Sequence, residues 1–178
     1  QDPQTVSLHN CPNMFEAARC VGAALREMHV RDGEALKAQG VEFNATFIVG
    51  GQIQGEPPRL FQLYSAGNFI EASADTTYFQ IGESKYGKPI IDRVTRRSMA
   101  LSEAAKCALI SMDSTIRSNL TVGLPLDLVI VRRDEYRVAS HVDIGHENKY
   151  FQVIRGAWGE ALREAFSALP NPDWLGVR

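Results

Sequence analysis

The 178-residue chain carries almost no surplus charge, few cysteines, no long apolar run and no low-complexity tract, and each shortage removes a class of function. With 19 Lys and Arg against 21 Asp and Glu, the formal charge of -2 gives no electrostatic pull toward nucleic acid or an anionic membrane surface. Neither partner is expected. Cys11, Cys20 and Cys107 form an odd set with no CxxC pair and sit in helix-like sequence, which excludes a disulfide framework. A reducing cytoplasm fits that usage. No basic-then-apolar signal segment opens the sequence, and no apolar run is long enough to span a bilayer. Repeats and long linkers are missing too, so residues 1–178 read as a single domain, for which 44% hydrophobic content supplies a core.

What is present reads as helices, strands, helices, strands, helix. The first eight or so residues look irregular, and Asn10 with Pro12 marks a helix start. Met14, Ala18, Val21, Leu25 and Met28 then share one face of a helix ending near His29, and a second helix over Asp32–Gln39 stops at Gly40. From Phe43 the period changes to two. Phe43, Ala45, Phe47 and Val49 alternate with Asn44, Thr46 and Ile48, giving one apolar and one mixed face, the Gly55–Pro58 turn leads to a strand at Leu60–Tyr64, and Phe69–Ala72 and Tyr78–Ile81 complete an expected four-stranded antiparallel meander. Helices are expected over Lys85–Arg96 and Ser102–Ser118, the latter with a stripe of Leu101, Ala105, Ala108, Met112 and Ile116. Leu126–Val131 and Tyr136–Ile144 read as a hairpin, and a last helix over Asn148–Leu169 carries Phe151, Ile154, Trp158, Ala161, Ala165 and Leu169 on one side.

The order FNATFIVGG, RLFQLYSAG, YFQIGE, then ESKYGKPIIDRV, with a Gly-Glu-Ser turn between sheet and helix, resembles the middle of a proteasome-type β subunit. More narrowly it resembles the bacterial Anbu branch, related to the HslV peptidase. The likeness runs from His9 to Trp174. It implies an α+β fold, a four-layer αββα sandwich of antiparallel sheets typical of N-terminal nucleophile hydrolases, with the family's first strands missing before Gln1. It further implies a cytoplasmic threonine-type endopeptidase that acts on unfolded polypeptide, needs no cofactor, and assembles with copies of itself into a ring or spiral. In such enzymes the N-terminal threonine hydroxyl attacks, its own α-amine takes the proton, and a lysine and an aspartate support it. By the resemblance all three lie upstream of Gln1. The alternative is an assembly subunit with little or no peptidase activity.

Only supporting residues then remain in view. Family members place a Gly-Ser-Gly turn at the head of the central helix, and here Gly82 and Glu83 occupy its first two positions, as substrate-side residues, while Ser84 offers the hydroxyl one place later. Ser84 also reads as a simple helix cap. The family's Asp-x-x-Ser-Gly loop falls on Asn119, Val122 and Gly123, with Thr121 as the neighbouring hydroxyl. Read on their own, Asn119 and Thr121 are the polar end of a helix. His141, Asp143 and His146 lack a fixed ligand geometry, and no metal site is expected. Cys107 reads as a small core residue. Arg93, Arg96 and Arg97, with Arg132 and Arg133, read as solvated faces or subunit contacts.

Overall fold

The computed structural model describes residues 7–175, so Gln1 and most of the expected irregular start lie outside the described residues. Helix α1 runs from Met14 to Ala38, and strands β1 (Phe47–Gly51), β2 (Arg59–Leu63) and β3 (Phe69–Glu71) follow it. Helices α2 (Lys88–Val94) and α3 (Leu101–Ser118), strands β4 (Leu126–Val131) and β5 (Val138–Ile144), and helix α4 (Lys149–Ala168) complete the order, ending in a short 3₁₀ turn at Asp173–Leu175. The fold is mixed α+β with antiparallel sheets, as expected. Among the described residues no helix is long and apolar enough to cross a membrane. The chain divides into two compact units. The first holds residues up to Ser84 with Thr95–Met99 and Val129–His141, and the second holds Lys85–Val94, Ala100–Leu128 and Val142 onward.

In the first unit, the two helices expected before the sheet are one helix of 25 residues. No proline interrupts it, and Asp32 engages the Arg31 guanidinium instead of capping a new helix, so the break in apolar spacing after His29 marks only where burial ends. Its N-cap is Asn13, not Asn10: the Asn13 side chain accepts from the Glu16 N–H at 2.8 Å. Asn10 instead accepts from the Ser7 N–H. The expected end at Gly40 holds, with that residue at φ 74° just beyond the C-cap Gln39. Met14, Ala17, Ala18 and Leu25 pack on Phe61 and Leu63, which are fully buried. Met28, assigned to the same stripe, is 44% exposed.

The sheet order is β1-β2-β3, with Phe47 opposite Leu63, Gly51 opposite Arg59 and Leu63 opposite Phe69. The hairpin turn is therefore where the Pro57-Pro58 sequence put it. Phe47, expected inward, is 45% exposed, and the strand begins at that residue, leaving Phe43 to stack on His29. Tyr78–Ile81 is not a strand, because it finds no partner ladder. Gly67, in the β2–β3 turn, has φ 74° and lies against Gly22 of α1, while its carbonyl accepts from Arg26 Nη1 at 2.8 Å. A side chain there would both strain the backbone and push the helix away.

In the second unit α2 starts at Lys88, three residues later than expected. Pro89 supplies the reason: with no N–H to give, it fits only in a first turn. The stripe assigned to α3 is not its buried face. Cys107, Ser111 and Thr115 are buried along one line and Leu109 and Asp113 along another, whereas Leu101 and Ala108 are exposed between them. The helix is contacted on two sides, by α2 and by α4. Leu109 joins Ile144 and Phe151 in the core, with Ile116 and Ile154 against them. Helix α4 begins as expected, with the Asn148 side chain accepting from the Phe151 N–H at 2.9 Å. Its apolar stripe is buried only at the start, since Ala161 and Ala165 are exposed and Leu169 is 66% exposed. Strand β4 matches the LDLVIV run residue for residue, but β5 starts at Val138 because Asp134 (φ 63°) and Tyr136 (φ 50°) are left-handed and cannot extend the ladder.

Candidate functional site

The sequence-assigned residues fall in two local structures, one in each unit. In the first, Gly82 takes φ 78°, which turns the chain after the irregular Tyr78–Ile81 stretch and leaves Gly82 exposed with Glu83 and Ser84 half-buried. Helix α2 begins four residues after Ser84, and its first bonds run from Ile90 and Ile91 to the Gly87 carbonyl. Ser84 is therefore not the cap of that helix. Its hydroxyl has no protein hydrogen bond among the described residues, so its proton and lone pairs face the surroundings of the turn.

In the second unit, Asn119 closes α3. Its N–H bonds the Thr115 carbonyl at 2.9 Å, and its side-chain oxygen accepts from both the Thr121 N–H at 2.9 Å and the Thr121 hydroxyl at 2.7 Å. The structure thus brings Asn119 and Thr121 together, in the local side-chain-to-backbone turn that the plain reading of a polar helix end describes. Thr121 spends its single hydroxyl proton on Asn119, which leaves only its oxygen lone pairs for another group. Gly123 is exposed, with open space where a side chain would stand.

Beneath the Asn119 turn, the polar side of α3 is held by charge. Asp113, whose side chain is 3% exposed, accepts from Arg117 Nε at 2.9 Å on one oxygen and from Arg155 Nε on the other. Arg155 also lies over the Phe151 ring, 5.3 Å from its centroid. Both carboxylate oxygens are thereby satisfied, so a buried acid sits there without an unpaired charge. Sequence periodicity gave no sign of this arrangement; the only local signal is the Asp113 and Arg117 pair at four-residue spacing.

Sequence reasoning also missed a cleft of about 640 Å³ in the first unit, bordered by the β1–β2 hairpin, the end of β3 and the loop end of the β4–β5 hairpin. Arg97 lines it together with Arg132 and Arg133, so two basic runs far apart in sequence meet on one cavity. Arg59 faces it as well, paired in bidentate fashion with Glu71 at 2.7 and 2.6 Å. Those hydrogen bonds hold the Glu71 carboxyl below the usual carboxylate range and raise the Arg59 guanidinium above its ordinary value. Among the described residues no group of three or more His, Cys, Asp and Glu is gathered as metal ligands would be.

No family model matches the chain. It is 52% identical to a mutant Anbu from Hyphomicrobium sp. strain MC1, with a TM-score of 0.88, covering 97% of this chain and 69% of that one. It is 50% identical to the Anbu ancestral β subunit from Yersinia bercovieri, with a TM-score of 0.87 over 96% of this chain and 70% of that one. The Anbu complex of Pseudomonas aeruginosa, solved as a helical assembly, is 43% identical over 96% of this chain and 70% of its own, with a TM-score of 0.88. A proteasome β subunit of Haloquadratum walsbyi is 22% identical over 130 residues. The aligned stretch spans 51% of that curated relative's length.

Proposed function

Because the chain belongs to the Anbu family of proteasome β-like proteins, we propose that it forms most of one subunit of a self-compartmentalised, threonine-type peptidase. The observation that carries this reading is the identity of 50–52% sustained over 96–97% of the chain at TM-scores of 0.87–0.88. The curated proteasome β relative supports hydrolase chemistry, and the helical assembly of the Pseudomonas relative supports assembly with copies of itself. A cytoplasmic setting and an unfolded polypeptide substrate go with that reading.

The reaction would run through a threonine at the mature N-terminus, upstream of Gln1. Its hydroxyl oxygen bonds the scissile carbonyl carbon while its proton passes to the α-amine. The C–N bond then breaks as that proton moves to the leaving nitrogen, and water hydrolyses the ester to restore the threonine. On this reading Ser84 lends a hydroxyl beside the amine, Gly82 and Glu83 border the substrate, and the Asn119–Thr121 turn is a second support for that chemistry. A second reading, an assembly subunit with little hydrolysis, draws on one observation: the Asn119 oxygen is already engaged by Thr121. Hydrolysis of an unfolded polypeptide by the whole assembled protein separates the two. Peptidase function requires a free N-terminal threonine by intact mass and loss of cleavage when it becomes alanine. Cleavage that survives that replacement, or a mature chain without the threonine, rejects it.

A further inference from the structure

None of the residues assigned to that chemistry lines the arginine-rich cleft of the first unit, and its composition asks for a ligand. Arg97 makes no ion pair among the described residues. Arg132 reaches Glu135 only at 3.4 Å, and Arg133 reaches Asp134 only at 3.9 Å, both longer than a charge-assisted hydrogen bond of about 2.8 Å. By contrast Arg59 gives its Nε and Nη2 donors to Glu71 in a bidentate pair and forms a fixed wall. Three guanidiniums therefore retain donors toward one cavity.

The rest of the lining agrees with an anion. The Ser73 oxygen already accepts the N–H groups of Asp75 and Thr76, at 3.2 Å each, so the hydroxyl proton is its free group and seeks an acceptor. Thr77 adds a second hydroxyl, while Leu60, Val129 and Val131 add apolar surface. The wall is also held in place. The Gln52 amide donates to Asp134 Oδ1 at 2.6 Å and accepts the Asp134 N–H at 2.7 Å, tying the turn that carries Arg132 and Arg133 to the β1–β2 hairpin.

We propose that this cleft binds a small phosphate monoester, with its phosphoryl oxygens on Arg97, Arg132 and Arg133 and an apolar or planar body against Leu60, Val129 and Val131. A carboxylate offers two oxygens and one charge, enough for a single guanidinium fork. A phosphate dianion offers three terminal oxygens and matches several. The volume lies within the range of about 300–1,000 Å³ usual for small-molecule sites.

Titration calorimetry on the whole protein tests this with phenyl phosphate, inorganic phosphate and benzoate as probes. Phenyl phosphate should bind, with inorganic phosphate and benzoate each weaker. Arg97→Gln, and separately Arg132→Gln with Arg133→Gln, should weaken phenyl phosphate by about tenfold or more, as loss of a charge-assisted contact does. Arg163→Gln, an exposed change on α4, should bind as the parent does. Absence of phenyl phosphate binding at about 10 mM, benzoate or inorganic phosphate binding as tightly, or equal weakening by Arg163→Gln would each overturn the assignment. Unchanged melting of the arginine variants keeps a loss of binding from being a loss of fold.

Discussion

At Gly87 a single missing carbon decides how closely two helices lie. A side chain added there would run into the Ser111 hydroxyl and stand 2.9 Å from the Ser111 carbonyl oxygen and 3.1 Å from Thr115 Oγ1. The nearest obstacle is the short side chain of a buried serine and the next is backbone, so neither swings away. Gly87→Ala should destabilise the whole protein by about 1–3 kcal/mol, as overpacking does, in a urea titration. An unchanged midpoint would mean that α2 and α3 slide apart freely. Asp113 is the second residue whose loss should register. Asp113→Ala removes the acceptor of two arginines, yet Arg117 remains 59% exposed and Arg155 30% exposed, so the cations keep water. The cost should therefore be about 1–3 kcal/mol rather than that of stranding a buried charge, and Arg155→Lys, with Asp113 in place, should cost only part of it, because a cation stays beside the carboxylate while the Nε contact is lost.

The elements show which signals a sequence can carry. LDLVIV is a near-continuous apolar run between Pro125 and the Asp134–Glu135 turn, and β4 occupies those residues; Asn148 precedes an apolar repeat, and α4 starts there. These depend on neighbours in the chain. Tyr78–Ile81 has the composition of a strand but no adjacent ladder, and pairing is a property of distant segments. The two-sided burial of α3 likewise depends on α2 and α4, so its line of small residues, correctly seen as a line, is only partly buried, with Ile116 on the core and Leu101 and Ala108 exposed. At the site, Asn119 and Thr121 were legible as a polar helix end, whereas the role of Ser84 as a cap was not tenable once Pro89 is confined to a first turn. The meeting of Arg97 with Arg132 and Arg133 could not be read at all, being a product of tertiary contact. Asn148→Ala should cost about 1 kcal/mol by removing the side-chain acceptor that caps the α4 start, measured by thermal unfolding. Across β2 and β3, Arg59 depresses the Glu71 pKa, so the pair stabilises the fold above the ordinary carboxylate pKa and loses that contribution as pH falls through the lowered one. Glu71→Gln should thus cost about 0.2–1 kcal/mol at neutral pH, the worth of a largely solvated pair, and nothing in strong acid.

On the scale of the whole molecule, α4 poses the question of what its second half is for. The stripe that begins with buried Phe151 and half-buried Ile154 continues along the same side to Leu162 (50% exposed), Phe166 (79%) and Leu169 (66%). A helix that carries an apolar stripe beyond its own core is built to meet another surface. In a protein proposed to assemble with its own copies, the neighbouring subunit is the surface at hand, and burying one phenylalanine ring there contributes about 1.5–3 kcal/mol for each copy of the contact. Phe166→Glu places a charge in that seam while leaving the Phe151 end of the helix, and so the fold, alone. Sedimentation velocity of the whole protein should then show particles of lower mass than the parent, with unchanged circular dichroism. Parent-sized particles carrying the glutamate would place the subunit contact elsewhere and leave the end of α4 facing water.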